Sequence, residues 1–428
     1  MRRVVYPGPG FERWLRGLPR ANAPRPSVLR AAERILAAVR RDGDRALVRL
    51  TRRLDGVSLR RLRVTPAEIG ALAKRADPAV VAALGRMADR IEAFHRRQRD
   101  DGFRLRHPDG SCLEERVSPL GSAGLYVPGG RGAYPSSVLM GAIPARVAGV
   151  RRLVIVTPPL TLERNPAVAA AIAIAGAGEH VYRVGGAQAI AALAYGTRTI
   201  PAVDKIVGPG NAWVAAAKRL VRGHVEIDSE AGPSEIAILA DESADAGHVA
   251  ADLLAQAEHG SGDETVVLVT PSRALAAEVV RLVALGRGSV ANPASTRRAL
   301  ARHAAVVLVR DLEQGAAAVN RLAPEHASIV ARGAARLARE VVAGGVFVGP
   351  FSPVAAGDYG IGPNHVLPTG GSARFAGPLS VRDFQRRSSV VRLTRAGLRR
   401  CTEDIVRVAM AEGFRGHAQS VLTRFEAE

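Results

Sequence analysis

Cysteine is almost missing from this sequence: Cys112 and Cys401 are the only two in 428 residues. Two scattered thiols build neither a disulfide framework nor a cysteine-rich metal site, so any bound metal must be held by His, Asp, Glu or Gln. Aromatic residues make up only 4% of the chain, which leaves few platforms on which unpaired bases could stack. Long uninterrupted apolar runs are absent, and the opening Met-Arg-Arg-Val-Val-Tyr-Pro-Gly has charge with no apolar stretch behind it. Neither a membrane span nor a secretory leader is expected, and a cytoplasmic protein is. Lysine is scarce too: Lys74, Lys205 and Lys218 stand against 57 arginines, in a chain of formal charge +20. A basic balance raises nucleic-acid binding, because Lys and Arg release counterions from phosphate. Arginine used almost exclusively, beside abundant Ala and Gly, reads instead as compositional bias. Residues 1–110 hold 26 basic against 12 acidic side chains, a solvated basic face, and no nucleic-acid partner is expected. Finally, no Gly-x-Gly-x-x-Gly fingerprint opens a helix after a strand, so an ordinary dinucleotide-binding turn is not supported.

What is present is apolar content of 47%, enough over this length for two principal domains with smaller attachments. Residues 1–28, with Pro7, Pro9, Pro19, Pro24 and Pro26, read as an irregular arm holding at most one short helix near 11–16. Residues 29–120 show helical periodicity and are assigned as a helical part associated with the second α/β domain. From Gly124 short β-rich runs alternate with helices. Strands expected at 125–127, 153–156, 181–184 and 205–207 define a first α/β domain over 121–233. The rhythm repeats with strands at 235–239, 266–269, 306–309, 328–330 and 346–348, a second α/β domain over 234–377. The fold class expected is α/β, with two doubly wound parallel-sheet domains facing a cleft and small N-terminal and C-terminal helical extensions. After Pro378 no strand is expected, and residues 378–428 read as a helical tail.

Three glycine turns follow strands and precede helices: Tyr126-Val-Pro-Gly-Gly130, Val184-Gly-Gly-Ala-Gln188 and Val207-Gly-Pro-Gly-Asn211. Main-chain N–H groups and the helix dipole favour phosphate at such turns, so three on one sheet edge point to a nucleotide cleft. Within the helical run 251–260, Gln256 and His259 stand three apart, which puts both on one helical face, with Gly260 ending the helix. They offer half of a mixed nitrogen and oxygen cation site, although the spacing equally suits a polar helix end with a capping histidine. Glu325 and His326 adjoin just before a strand, where a carboxylate and an imidazole pointing into one cleft both accept protons. A helix-ending Pro324 followed by surface polar residues is the other reading of that run. The loop 357–368 carries Asp358 and His365 among Gly and Pro, and Glu412 and His417 fall between two helices.

In this order the motifs resemble the histidinol dehydrogenase family over roughly residues 29–419. The resemblance is carried by Gly124-Leu-Tyr-Val-Pro-Gly-Gly130, Gly185-Gly-Ala-Gln188, Lys205-Ile-Val-Gly-Pro-Gly-Asn211, Ala231-Gly-Pro-Ser-Glu235, Gln256-Ala-Glu-His259, Ala323-Pro-Glu-His326 and Asn364-His-Val-Leu-Pro-Thr369. It implies Rossmann-like sheet domains and a zinc- and NAD-dependent oxidation of L-histidinol through L-histidinal to L-histidine, the last steps of histidine biosynthesis. It also implies one Zn2+ per subunit on Gln256, His259, Asp358 and His417, NAD near Tyr126, Gln188 and Asn211, and Glu325 and His326 as catalytic groups. Substrate contacts are implied for Ser234, His326 and Glu412 besides the metal ligands, in a homodimer whose C-terminal tail completes the partner's zinc site. Relatives acting on other small polar alcohols with the same ligands make a dehydrogenase of that kind the alternative.

Overall fold

Glu235–Ala240 and Thr265–Thr270 are buried at every position, the pattern of parallel strands covered by helices on both faces. The structure, a computed structural model, describes residues 1–19, 25–129, 134–230 and 232–426. In chain order its strands are β1 (Arg2–Val5), β2 (Arg63–Val64), β3 (Phe103–Arg106), β4 (Cys112–Pro119), β5 (Ser122–Tyr126), β6 (Arg152–Thr157), β7 (His180–Arg183), β8 (Lys205–Val207), β9 (Glu226–Ile227), β10 (Glu235–Ala240), β11 (Thr265–Thr270), β12 (Ala305–Leu308), β13 (His326–Val330), β14 (Gly345–Val348) and β15 (Gln385–Arg392). Among the described residues no helix is long and apolar enough to cross a membrane.

The chain divides into a larger unit, Met1–Gln98 with Leu120–Phe384, and a smaller one, Arg99–Pro119 with Gln385–Glu428. The larger unit holds two six-stranded sheets. The first runs β2-β7-β6-β5-β8-β9 and is parallel apart from β2, which pairs antiparallel with β7. The second runs β1-β12-β11-β10-β13-β14, parallel throughout. Each winds outward from a central strand and then returns to its other side, so strand order reverses between β5 and β8 in one sheet and between β10 and β13 in the other.

Three features depart from the sequence expectation. The N-terminal arm contributes an unexpected β1 to the edge of the second sheet, with Arg2 opposite Ala305, while the short helix expected near 11–16 is present as Pro9–Arg16 and buries Phe11, Trp14 and Leu15. Pro24 of that arm lies outside the described residues.

The helical part expected to associate with the second α/β domain packs on the first instead. Helices Pro26–Asp42 and Asp44–Asp55 bury Ile35, Leu36, Val39, Leu47 and Leu50 in one core with Ile190, Leu193 and Val214. Helices Pro66–Ala73 and Pro78–Arg96 bury Ile69, Leu84 and Ile91 in another with Leu139 and Val168. The cause lies in the helices already covering that sheet. Ala187 through Ala194 are all buried, and a helix apolar all round needs a further layer over its outer side.

The smaller unit is built on an antiparallel sheet, β15-β4-β3, where the sequence suggested helix and then a strand-free tail. Its strands are paired by charge, Arg104 with Glu114 at 2.8 Å and Arg387 with Glu115 at 3.1 Å. β3 is exposed at every position, so the apolar alternation that announces a half-buried strand is missing. Helices Arg395–Ala411 and Arg415–Leu422 follow.

Candidate active site

Asp245 caps the helix Ala246–Ala257, its side chain accepting from His248 N at 2.9 Å. The helix buries Val249, Leu253, Gln256 and Ala257, so Gln256 is a polar residue set in an apolar stripe. It is 2% exposed, and its Nε2 has no hydrogen-bond partner. The helix ends at Ala257, short of the expected Gly260, and His259 lies beyond it in the following turn. His259 Nδ1 donates to the Gln256 carbonyl at 3.1 Å, which leaves Nε2 as the free nitrogen.

Asp358 closes the short helix Val354–Asp358 rather than standing in a loop. Its carbonyl accepts from His365 Nδ1 at 2.9 Å, and His365 Nε2 in turn accepts from the Ser137 hydroxyl at 3.3 Å. Ser234, Gln256, His259, Glu325, His326, Asp358 and His365 thereby line one cavity of about 420 Å³. His365 is a wall residue that the motif reading noted without giving it a role.

Ala323 ends the helix Leu312–Leu322 with φ +46, and Pro324, Glu325 and β13 follow at once. This is one of two non-glycine residues with positive φ among those described; the other, Leu160, lines the second cavity considered below. Such backbone strain concentrates where a fold must aim side chains. The Glu325 carboxylate accepts from Glu235 N at 3.0 Å and lies 3.6 Å from His326 Nδ1. His326 Nδ1 faces the Glu235 carbonyl at 3.1 Å, so the proton stands on Nδ1 and Nε2 is the basic nitrogen. Burial pushes Glu325 up to about 8, against the stabilising Glu235 N–H. Burial also pushes His326 below its ordinary value, with the charge of Asp358 opposing.

A second cavity, about 490 Å³, is lined by Tyr126, Gly186, Gln188 and Asn211. Tyr126 closes β5, and its hydroxyl accepts from Gly186 N at 3.2 Å, while burial pushes the phenol up to about 12. Gly129 presents bare backbone there: a Cβ would fall 2.3 Å from Thr161 Oγ1. Gly130 of the same motif is outside the described residues, as is Ala231. Gln188 is 1% exposed and its Oε1 has no partner, while its Nε2 donates to Asp55 at 3.4 Å. Asn211 caps the helix Ala212–Val221, its Oδ1 accepting from Trp213 N at 3.0 Å and Val214 N at 3.2 Å. Asp55, Leu160, Thr161 and Trp213 line this cavity without belonging to any motif, so sequence gave no signal for them.

The two sheets present opposite ends. Tyr126 closes β5 and Gly208 follows the carboxyl end of β8, whereas Glu235 and His326 open β10 and β13. The glycine turn after β8 is common to both cavities, with Pro209 in the wall of one and Asn211 in that of the other.

Glu412 and His417 belong to the smaller unit, and both are exposed. Glu412 ends its helix, and His417 lies inside the next one, not between the two, stacked on Phe414 at 4.9 Å. Among the described residues no three His, Cys, Asp or Glu side chains gather closely enough to hold a metal by themselves. An amide, an imidazole and a carboxylate do share the first cavity, a donor set that fits a cation with positions left open. The partnerless Gln188 Oε1 and the bare backbone at Gly129 likewise fit a polar, phosphate-bearing cofactor in the second.

A cofactor-sized cavity on one doubly wound sheet and a carboxylate–imidazole pair on the other fit a cofactor-dependent α/β oxidoreductase. A sequence profile described as histidinol dehydrogenase matches residues 18–425. Proteins named histidinol dehydrogenase from Halalkalibacterium halodurans and Cereibacter sphaeroides are both 46% identical, covering 93% and 98% of this chain and 94% and 97% of their own. The crystal structure of histidinol dehydrogenase from Elizabethkingia anophelis matches with TM-score 0.92 at 31% identity, covering 100% of this chain and 98% of that one. The chain belongs to the histidinol dehydrogenase family.

Proposed function

We propose that the protein oxidises L-histidinol to L-histidine through L-histidinal, the closing steps of histidine biosynthesis. The observation that carries this function is a buried Glu325–His326 pair in the same cavity as Gln256, His259 and Asp358, in a chain of this family. Gln256, His259 and Asp358 are the proposed zinc ligands of the larger unit, with His417 supplied by the tail of a partner chain. When bound, zinc would hold the substrate's imidazole and amine in place, and NAD would accept the two hydrides.

His326 Nε2 takes the hydroxyl proton as hydride leaves the carbinol carbon, and its neutral form suits that task. Glu325 draws a proton from the water that adds to the aldehyde, giving the hydrate whose carbon yields the second hydride and becomes the carboxylate. A carboxyl group held near 8 exchanges protons readily around neutral pH. Ser234 lines the substrate cavity, and Glu412 is assigned to the substrate ammonium. Tyr126, Gln188 and Asn211 are assigned to NAD. Free thiols at Cys112 and Cys401 accord with a cytoplasmic setting.

The test is NADH formed per histidine produced from L-histidinol, expected at two to one. Other small amino alcohols, supplied in parallel, address the alternative dehydrogenase; faster turnover of one of them would replace histidinol as the substrate. No NADH with histidinol in zinc-loaded protein would overturn the proposal.

A further inference from the structure

Glu235 opens β10 at the point where the strand order of the second sheet reverses, one step before the pairing of Ile236 with His326. Each of its polar groups reaches the proposed proton-transfer pair or its surroundings. Its N–H donates to the Glu325 carboxylate at 3.0 Å, and its carbonyl accepts from His326 Nδ1 at 3.1 Å. Its own carboxylate accepts from Glu325 N at 3.3 Å and from Gly370 N at 3.1 Å. The two glutamates therefore exchange hydrogen bonds, each carboxylate taking the other's main-chain N–H.

Burying a carboxylate is costly unless it is hydrogen-bonded, and Glu235 is only 6% exposed. A strand end needs nothing so expensive to satisfy one N–H. What the second carboxylate adds is a fixed main chain at Glu325 from both sides, with the segment of Thr369 and Gly370 tied to the same point. Thr369 Oγ1 also accepts from Gly232 N at 2.7 Å, which anchors that segment again beside Ser234.

We infer that Glu235 is a positioning residue, whose carboxylate holds the Glu325 main chain and so aims the Glu325 carboxylate at the reacting carbon. The inference rests on the roles proposed above for Glu325 and His326. It makes an asymmetric demand. His326 is steered by the Glu235 carbonyl, a main-chain group that survives side-chain substitution, whereas Glu325 depends directly on the side chain. Loss of the carboxylate therefore harms aldehyde oxidation more than alcohol oxidation.

The experiment uses the full-length, zinc-loaded protein and compares Glu235→Ala with Glu235→Gln. Alcohol oxidation is followed as NADH from L-histidinol with semicarbazide trapping the aldehyde, and aldehyde oxidation as NADH from L-histidinal. Glu235→Ala is expected to lower kcat on the aldehyde by about tenfold or more, with KM within about threefold and the alcohol stage less affected. Glu235→Gln, whose amide oxygen accepts the same two N–H groups, should recover most of the loss. Hydrogen exchange at Glu325 and Gly370 should quicken in the Ala variant and stay slow in the Gln variant. Equal loss at both stages, or Ala and Gln variants alike, would overturn the inference. Should Glu235→Ala fail to fold, Glu235→Asp, one methylene short, carries the same expectation against Gln. An unsubstituted protein inactive on histidinol would sink the proposed function instead, and the exchange measurement would still decide whether Glu235 holds the Glu325 main chain.

Discussion

Lys218 and Asp228 form an ion pair nearly closed to solvent, with side chains 2% and 4% exposed, and both also bind Gly208. Lys218 Nζ donates to the Gly208 carbonyl at 3.1 Å, and Asp228 Oδ2 accepts from Gly208 N at 2.8 Å. Gly208 has φ +112, and a Cβ on it would fall 2.3 Å from the Tyr126 carbonyl. The pair thus clamps a turn that only glycine can make, at the wall between the two cavities.

Removing one partner leaves the other charge buried without compensation. Lys218→Met should destabilise the protein by about 3–5 kcal/mol, read from the denaturant midpoint, and raise KM for NAD by loosening the turn that carries Asn211. Adding Asp228→Leu should recover part of the stability, because the stranded charge is then gone. A midpoint unchanged by the single substitution would show that the pair carries no such strain.

Burial pushes Glu325 up to about 8 from an ordinary value of 4.5. The folded state therefore favours the protonated acid. The stability this gives is full below the ordinary carboxylate range and is lost as pH rises through about 8. Base action needs the ionised form, so kcat for L-histidinal oxidation should climb with pH across the neutral to mildly alkaline range. Glu325→Gln should remove that limb and slow aldehyde oxidation more than alcohol oxidation; a profile of the same shape in the Gln variant would assign the ionisation elsewhere.

The proposed zinc ligands Gln256, His259 and Asp358 line one cavity and bring donors of three kinds. Chelation should abolish activity and added zinc should restore it, with Gln256→Ala needing more zinc than the unsubstituted protein. Full turnover in protein shown by elemental analysis to be metal-free would refute the zinc assignment.

Both cysteines belong to the smaller unit, whereas every residue lining the Glu325 cavity belongs to the larger. Aldehyde oxidation here should need no thiol nucleophile, so Cys112→Ser combined with Cys401→Ser should keep both oxidation stages. A folded double variant that stops at the aldehyde would require a thioester route.

The segment Arg395–Leu422 buries little: Gly397 and Ala409 in its first helix and Ala418 in its second. It needs a larger surface to pack against, which the proposed tail exchange in a homodimer would provide. His417→Ala and Asp358→Ala chains should each be nearly inactive alone. In mixed dimers with exchanged tails, one site regains both native ligands and the other loses both, so about half the sites should work. Verified mixed dimers without recovered activity would place His417 in its own chain's site.

The sequence by itself determined whatever is written in neighbouring residues. The apolar runs at 236–240 and 266–269 specify buried strands, the glycine turns at 184–188 and 207–211 specify tight strand-to-helix connections, and Glu325 cannot be separated from His326. Only the tertiary structure decided the pairings between distant stretches. Glu235 meets Glu325 across 90 residues because β10 and β13 are adjacent in the sheet, and Asp358 reaches Gln256 and His259 in a common cavity. The same holds for β1 at the edge of the second sheet, for the N-terminal helices over the first, and for β15 beside β4. Hydrophobic period reports which face of a segment is buried, and says nothing of which other segment covers it. Where strands are held by Arg–Glu pairs and main-chain hydrogen bonds, as in the smaller unit, even the period is silent, because no apolar face needs to be hidden from water.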